Sequence, residues 1–140
     1  MIRARFYIER YDWVVDAYVS VTHYATEEIL ANLRLIGCRG VTYGKARRKL
    51  MSGELNGGLT YTNHRARRSV MVTSLAESAA EQFNTITHEI AHVCAHIASS
   101  EKINQVSEEF AYLVGDFSMM LFPKVKRLLC ECCRKRNAYL

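Results

Sequence analysis

The sequence lacks any uninterrupted apolar run of the roughly eighteen residues that a membrane span needs. Its best stretch, Phe110 to Phe122, is broken by Gly115 and Asp116. The first residues, MIRARFYIERYDW, mix charges in from the third position, so no secretory apolar segment is expected there. Together these absences predict a cytoplasmic, non-secreted protein, association with a virion being compatible, and no membrane partner. The five cysteines are an odd number, with Cys130, Cys132 and Cys133 crowded together and Cys38 and Cys94 far apart. That spacing excludes a secreted disulfide framework and predicts free thiols. Proline occurs once, at Pro123. No internal repeat, low-complexity tract or linker divides the chain, so residues 1–140 read as one domain around one core.

What is present is an ordinary globular composition, 49% hydrophobic and 24% charged. The net charge of +5 is local, carried by Lys45, Arg47, Arg48 and Lys49, by Arg65, Arg67 and Arg68, and by a C-terminal group from Lys124 to Arg136. No nucleic-acid-binding motif accompanies these clusters, so they are read as solvated faces and loops rather than as a nucleic-acid surface.

Arg3 to Tyr24 reads as a hairpin: RFYIE, a turn near Arg10 to Asp12, then WVVDAYVSV, in which Val15, Ala17, Val19 and Val21 alternate with Asp16, Tyr18 and Ser20. Thr26 can cap a helix whose apolar residues Ile29, Leu30, Leu33 and Ile36 recur at helical spacing until Gly37. Glycines between Cys38 and Arg68 indicate loops around a short helix, Lys45 to Met51, and a strand, Leu59 to Thr62; Ser69 to Thr73 is a further strand. Ser74 and Glu77 form an S-x-x-E capping box for a long helix running to about Ala98. A second long helix starts between Ile103 and Ser107 and runs to Pro123; beyond it Val125, Leu128, Leu129, Cys132 and Cys133 recur at helical spacing, which predicts that these cysteines pack in the core. The layout is α+β, a small antiparallel sheet followed by helices.

The chemistry concentrates in THEIAH. His88 and His92 are four apart, so on a helix they project from one face and can converge on one metal ion. Glu89 falls on the flank of that face, where a carboxylate can reach a water without occupying the metal, as a general base must. Phe83, Ile86, Ile90, Val93, Cys94 and Ile97 form the apolar stripe, and the two histidines lie roughly 140° from its centre, away from the core. His96 extends the histidine row, but three histidines in a row along one straight helix span roughly 12 Å, too far for one ion to bind all three. The following helix offers Glu108 as a third ligand, with Glu109 in reserve; Ala111 and Gly115 on the Glu108 seam would allow close helix approach.

His88-Glu89-Ile90-Ala91-His92, with Glu108-Glu109-Phe110-Ala111 on a later helix, resembles the H-E-x-x-H plus E-x-x-A pattern of gluzincin metallopeptidases. The short chain is similar to the minigluzincins and to small H-E-x-x-H proteins of bacterial and phage genomes. The resemblance covers Thr87 to Ala111. It implies a zincin-like helical core, zinc held by His88, His92 and Glu108, Glu89 as the base for hydrolysis of a peptide or protein substrate, and an edge strand that aligns the substrate, for which Ser69 to Thr73 is the candidate. Tyr112 departs from the pattern where an acid often supports a ligand histidine. Tyr112, Tyr61, Tyr43 and His64 are the candidate oxyanion donors, none assigned. The alternative is a non-catalytic protein, stabilised by zinc, that serves a protein partner.

Overall fold

A computed structural model of the chain describes residues 1–22, 25–53 and 55–138. The first hairpin is β1 (Ile2–Ile8) and β2 (Trp13–Val21), joined by a 3-10 turn at Glu9–Tyr11 that closes on Asp12 in the left-handed region. The expected hairpin range ends at Tyr24, which lies outside the described residues. Two helices follow, α1 (Thr26–Leu35) and α2 (Gly40–Ser52), then a second hairpin, β3 (Gly58–Asn63) and β4 (Arg68–Ser74). The long helices are α3 (Ala79–Glu101) and α4 (Glu108–Val125), and a 3-10 turn leads to α5 (Glu131–Ala138). No helix among the described residues is long and apolar enough to cross a membrane.

The fold is α+β, but its four-stranded sheet is mixed rather than antiparallel. The strand order is β1-β2-β4-β3, and the inner strands β2 and β4 run parallel. Each hairpin is antiparallel within itself, as its local sequence dictates. The helices between them carry the chain across to the far edge, so the second hairpin docks with its later strand inward. The Ser69 to Thr73 segment is therefore an interior strand and has no edge to offer a substrate; β3 is the edge.

Helices cover both sheet faces. Val15, Ala17 and Val19 of β2 pack with Met71 and with Ile86, Ile90, Val93, Phe117 and Leu121 of α3 and α4 in one core. Tyr18, Val70 and Val72 pack with Ile29, Leu30 and Leu33 of α1 and with Ala46 and Leu50 of α2 in the other. Val21 belongs with Tyr18 rather than with Val19, because Ser20 takes a positive φ of 62° where the β2/β4 register shifts. Such an irregularity inverts which side of the sheet the later residues face.

Covering both faces buries the polar half of β2 as well. Asp16 is buried, bonded by Arg5 at 2.6 Å, Asn32 at 3.2 Å and Arg68 at 3.3 Å. Burial pushes its carboxyl pKa up, but the hydrogen bonds from Arg5 and Asn32 and the charges of Arg5 and Arg68 outweigh it, and the group is held below its ordinary value.

Several helix ends differ from their expected places. Thr26 is the first residue of α1 rather than its cap, and its buried hydroxyl donates to the Leu50 carbonyl of α2. The second helix begins at Gly40, before the expected Lys45, and α4 passes Pro123 to end at Val125. Cys130 and Cys132 are exposed and Cys133 half-buried, so the cysteine group is not core; Cys38 and Cys94 are buried instead.

Candidate metal centre

The helix that carries the histidines starts one turn later than the S-x-x-E reading placed it. Ser74 remains in β4, where its hydroxyl donates to the Gly57 carbonyl. The working cap is Ser78, whose Oγ accepts from Glu81 N at 3.0 Å, while Glu81 reaches back to accept from Glu77 N at 2.8 Å. This is a second S-x-x-E four residues along; its serine satisfies a first-turn donor, while its glutamate ties down the N–H of the residue before the cap. The shift changes the start of α3 but not its phase. Ile86, Ile90, Val93, Cys94 and Ile97 are buried as the periodicity predicts, and His88 and His92 are exposed. Phe83 is the exception, 60% exposed because it lies at the edge of the stripe near the helix start; Gln82 is buried there instead.

His88 and His92 turn toward each other, with Nε2 atoms 3.1 Å apart and ring centroids 4.7 Å apart. Glu89 differs sharply from both in being 3% exposed. Its Oε1 is 4.0 Å from His88 Nε2, and its Oε2 accepts a hydrogen bond from the Thr60 hydroxyl. The edge strand makes room for this carboxylate by omitting a side chain: a Cβ at Gly58 would stand 2.6 Å from Glu89 Cγ and Cδ. Strand alternation explains why Thr60 and Gly58 share that role, since Gly58, Thr60 and Thr62 are two apart while Leu59 and Tyr61 join the opposite core.

One turn beyond His92, Thr62 Oγ1 lies 2.8 Å from His96 Nδ1 and 2.7 Å from Ser69 Oγ, which accepts from Trp13 Nε1 at 3.0 Å. Burial, then the neighbouring His64 and His92, hold His96 below the usual imidazole pKa. Its neutral ring is thus tied to the sheet.

His88, Glu89 and His92 form the group, among the described residues, whose ligand atoms lie close enough to hold a metal, all within 4.8 Å of one another. The donor set fits zinc: two nitrogens each about 2.0–2.1 Å from one tetrahedral ion stand about 3.3 Å apart, close to the 3.1 Å between these imidazoles. Glu108 and Glu109 are outside the group. From His92 to Glu101 the helix rises about 13 Å, and α4 begins only after the turn that follows. Glu109 accepts hydrogen bonds from Tyr11 Oη at 3.1 Å and from Arg10 at 3.3 Å. Glu108 is exposed, as are Ala111, Tyr112 and Gly115, so the expected seam faces solvent rather than α3.

The candidate oxyanion donors are likewise spread out. Tyr61 packs in the opposite core, Tyr43 is bonded to Arg34, Tyr112 is exposed on α4, and His64 is bonded to Ser100. The residues that sequence reasoning missed are Gly58 and Thr60. A glycine opening an alternating strand was their only local signal, because the helix that they meet lies far along the chain.

Comparison finds no match. No family model, curated protein or solved structure matches the chain.

Beside the group lies a groove of about 430 Å³ lined by Leu55, Thr60, His88, His92 and His96, with Lys49 of α2 on its rim. The imidazoles and the carboxylate thus stand in a polar recess open to a substrate-sized molecule.

Proposed function

We propose that the chain is a zinc-dependent metallopeptidase in which His88 and His92 hold the ion and Glu89 is the general base. The observation that carries this reading is the buried carboxylate beside two converging imidazoles at the wall of an open groove. A helix face selected only for solubility has no reason to bury an acid or to leave a bare glycine beneath it.

Zinc bound there supplies a Lewis acid and a water that ionises near neutrality. Glu89 is held through Oε2 by Thr60, which leaves Oε1, on the His88 side, to take a proton from the attacking water and return it to the departing amine. An extended substrate is aligned by backbone pairing along β3, the edge strand that carries Thr60. In this proposal the zincin-like core consists of α3 against β3, and α4 supports α3 from its apolar side without furnishing a ligand.

A second reading, a protein interaction module stabilised by zinc, is favoured by one observation: Glu108 stands outside the metal group, and no other acid or histidine joins the three residues among those described. Metal analysis and peptide cleavage by Glu89→Gln separate the two. The peptidase reading expects zinc retained and chelator-sensitive cleavage lost. Zinc lost with the substitution makes Glu89 a ligand, and wild-type protein that retains zinc but cleaves nothing in a diverse peptide library supports the interaction module.

A further inference from the structure

The recess at the metal group continues into a furrow along α3. It shares Asn56, Gly58, His88 and Glu89 with a recess of about 120 Å³ that reaches Asn84 and Thr85. That recess in turn shares Asn56, Gly57 and Thr85 with a wider cleft of about 1050 Å³ ending near Ala80 and Glu81. From Ala80 to His96 the helix rises about 24 Å, which accommodates about seven residues of extended chain. The furrow is therefore shaped for a strand-like segment rather than for a compact small molecule.

Its two ends differ in charge. Lys49 lines the His92 and His96 end, and Glu81 lines the other. Lys49 belongs to a helix, GVTYGKARRKLMS, that contains no acid. Lys45, Arg47, Arg48 and Lys49 are all exposed, and none forms an ion pair with a described residue. Lys45 is one turn before Lys49 on the same side of α2, so two such unpaired cations share that helix side. Beside the sheet, by contrast, Arg67 pairs with Glu101, Arg68 with Asp16 and Arg3 with Glu28.

We infer that the furrow receives an extended polypeptide segment, and that Lys49 selects one acidic side chain of it at the recess that His92 and His96 line. The cleavage of that segment rests on the peptidase reading above; its binding does not. A nucleic-acid strand suits the site less well. Glu89 in the wall and Glu81 at the far end oppose a continuous line of phosphates, and among the described residues no phenylalanine, tyrosine or tryptophan lines the furrow to stack a base.

The test uses the full-length, zinc-saturated Glu89→Gln protein and fluorescence anisotropy with a labelled extended peptide that carries glutamate at one end, the acidic peptide, and its glutamine counterpart. The acidic peptide is expected to bind about tenfold more tightly, with added salt reducing the difference. Lys49→Glu weakens acidic-peptide binding by about threefold to tenfold, while Lys49→Arg and the remote Lys135→Glu change it by less than about twofold. Equal affinity for the two peptides, equal losses at Lys49 and Lys135, or tighter binding of a single-stranded oligonucleotide of matched charge overturns the proposal. Acidic-peptide binding by wild-type protein that cleaves nothing removes the peptidase reading and leaves this one standing. Cleavage without acidic preference does the reverse.

Discussion

The middle of α3 and the start of α4 both present glutamates beside other polar groups, yet among the described residues only the first joins a group close enough to hold a metal. Glu89 is buried against the edge strand, tied to Thr60 and adjacent to His88. Glu109 is tied to Tyr11 and Arg10 of the first hairpin, and Glu108 faces solvent. The difference arises from which side of α3 each neighbour occupies. The apolar side takes β2, β4 and α4 into one core, whereas the flank next to the histidines meets a strand that offers glycine and threonine. An acid becomes chemically useful where a second element fixes it beside its partners.

The sharpest way to break this comparison is Glu89→Gln. If the mid-helix acid is the base, kcat falls by about 10²–10⁴ while metal content is unchanged, and Glu108→Gln retains wild-type turnover. Equal losses in both variants would return Glu108 to the site and erase the contrast.

The metal test comes next. If the group holds zinc, the metal at 100 times its Kd is expected to stabilise wild-type protein by about 2.7 kcal/mol, seen as a raised Tm. His88→Ala and His92→Ala are expected to abolish that rise, and Glu108→Ala and Glu109→Ala to keep it. A rise that survives the loss of both histidines places the metal elsewhere.

Gly58→Ala probes the contact from the strand. Its methyl cannot sit 2.6 Å from two carbons of Glu89, so the carboxylate or the strand must shift, at a cost of about 1–3 kcal/mol in urea unfolding. Gly44→Ala, where a Cβ meets nothing within 4 Å, serves as the matched control and should leave stability unchanged or slightly raised. If the two variants behave alike, Glu89 is not held against the strand.

Much of this was legible in the sequence wherever one element's own periodicity decides the outcome. Helix phase correctly set Ile90, Val93 and Ile97 inward and His88 and His92 outward, and the first hairpin and the strands within Gly58–Asn63 and Arg68–Ser74 form where alternation and turns predict them. The errors lie where two distant segments must choose each other. Local pattern does not encode that β4 docks parallel to β2, and with that choice the edge passed from β4 to β3. Thr26 and Ser74 have the chemistry of caps, but each hydroxyl donates to a carbonyl from another element, Leu50 or Gly57. Glu108 stands outside the metal group for the same reason: its spacing from His92 was visible, but not the packing that leaves its side of α4 exposed.

The smallest effect belongs to Glu109. Glu109→Ala removes the acceptor of the Tyr11 hydroxyl, a bond at the half-exposed end of a buried ring, and is expected to cost about 0.5–1 kcal/mol in urea unfolding. Burial first, and the Glu109 bond second, hold the Tyr11 phenol above its ordinary 10.0. A raised folded pKa means that this stabilisation is fully present below pH 10.0 and is lost as pH rises through the folded value. The gap between wild type and Glu109→Ala should therefore be constant at neutral pH and narrow in alkaline solution, with zinc content the same in both. A variant that lost zinc instead would bring Glu109 out of the hairpin contact and into the metal group.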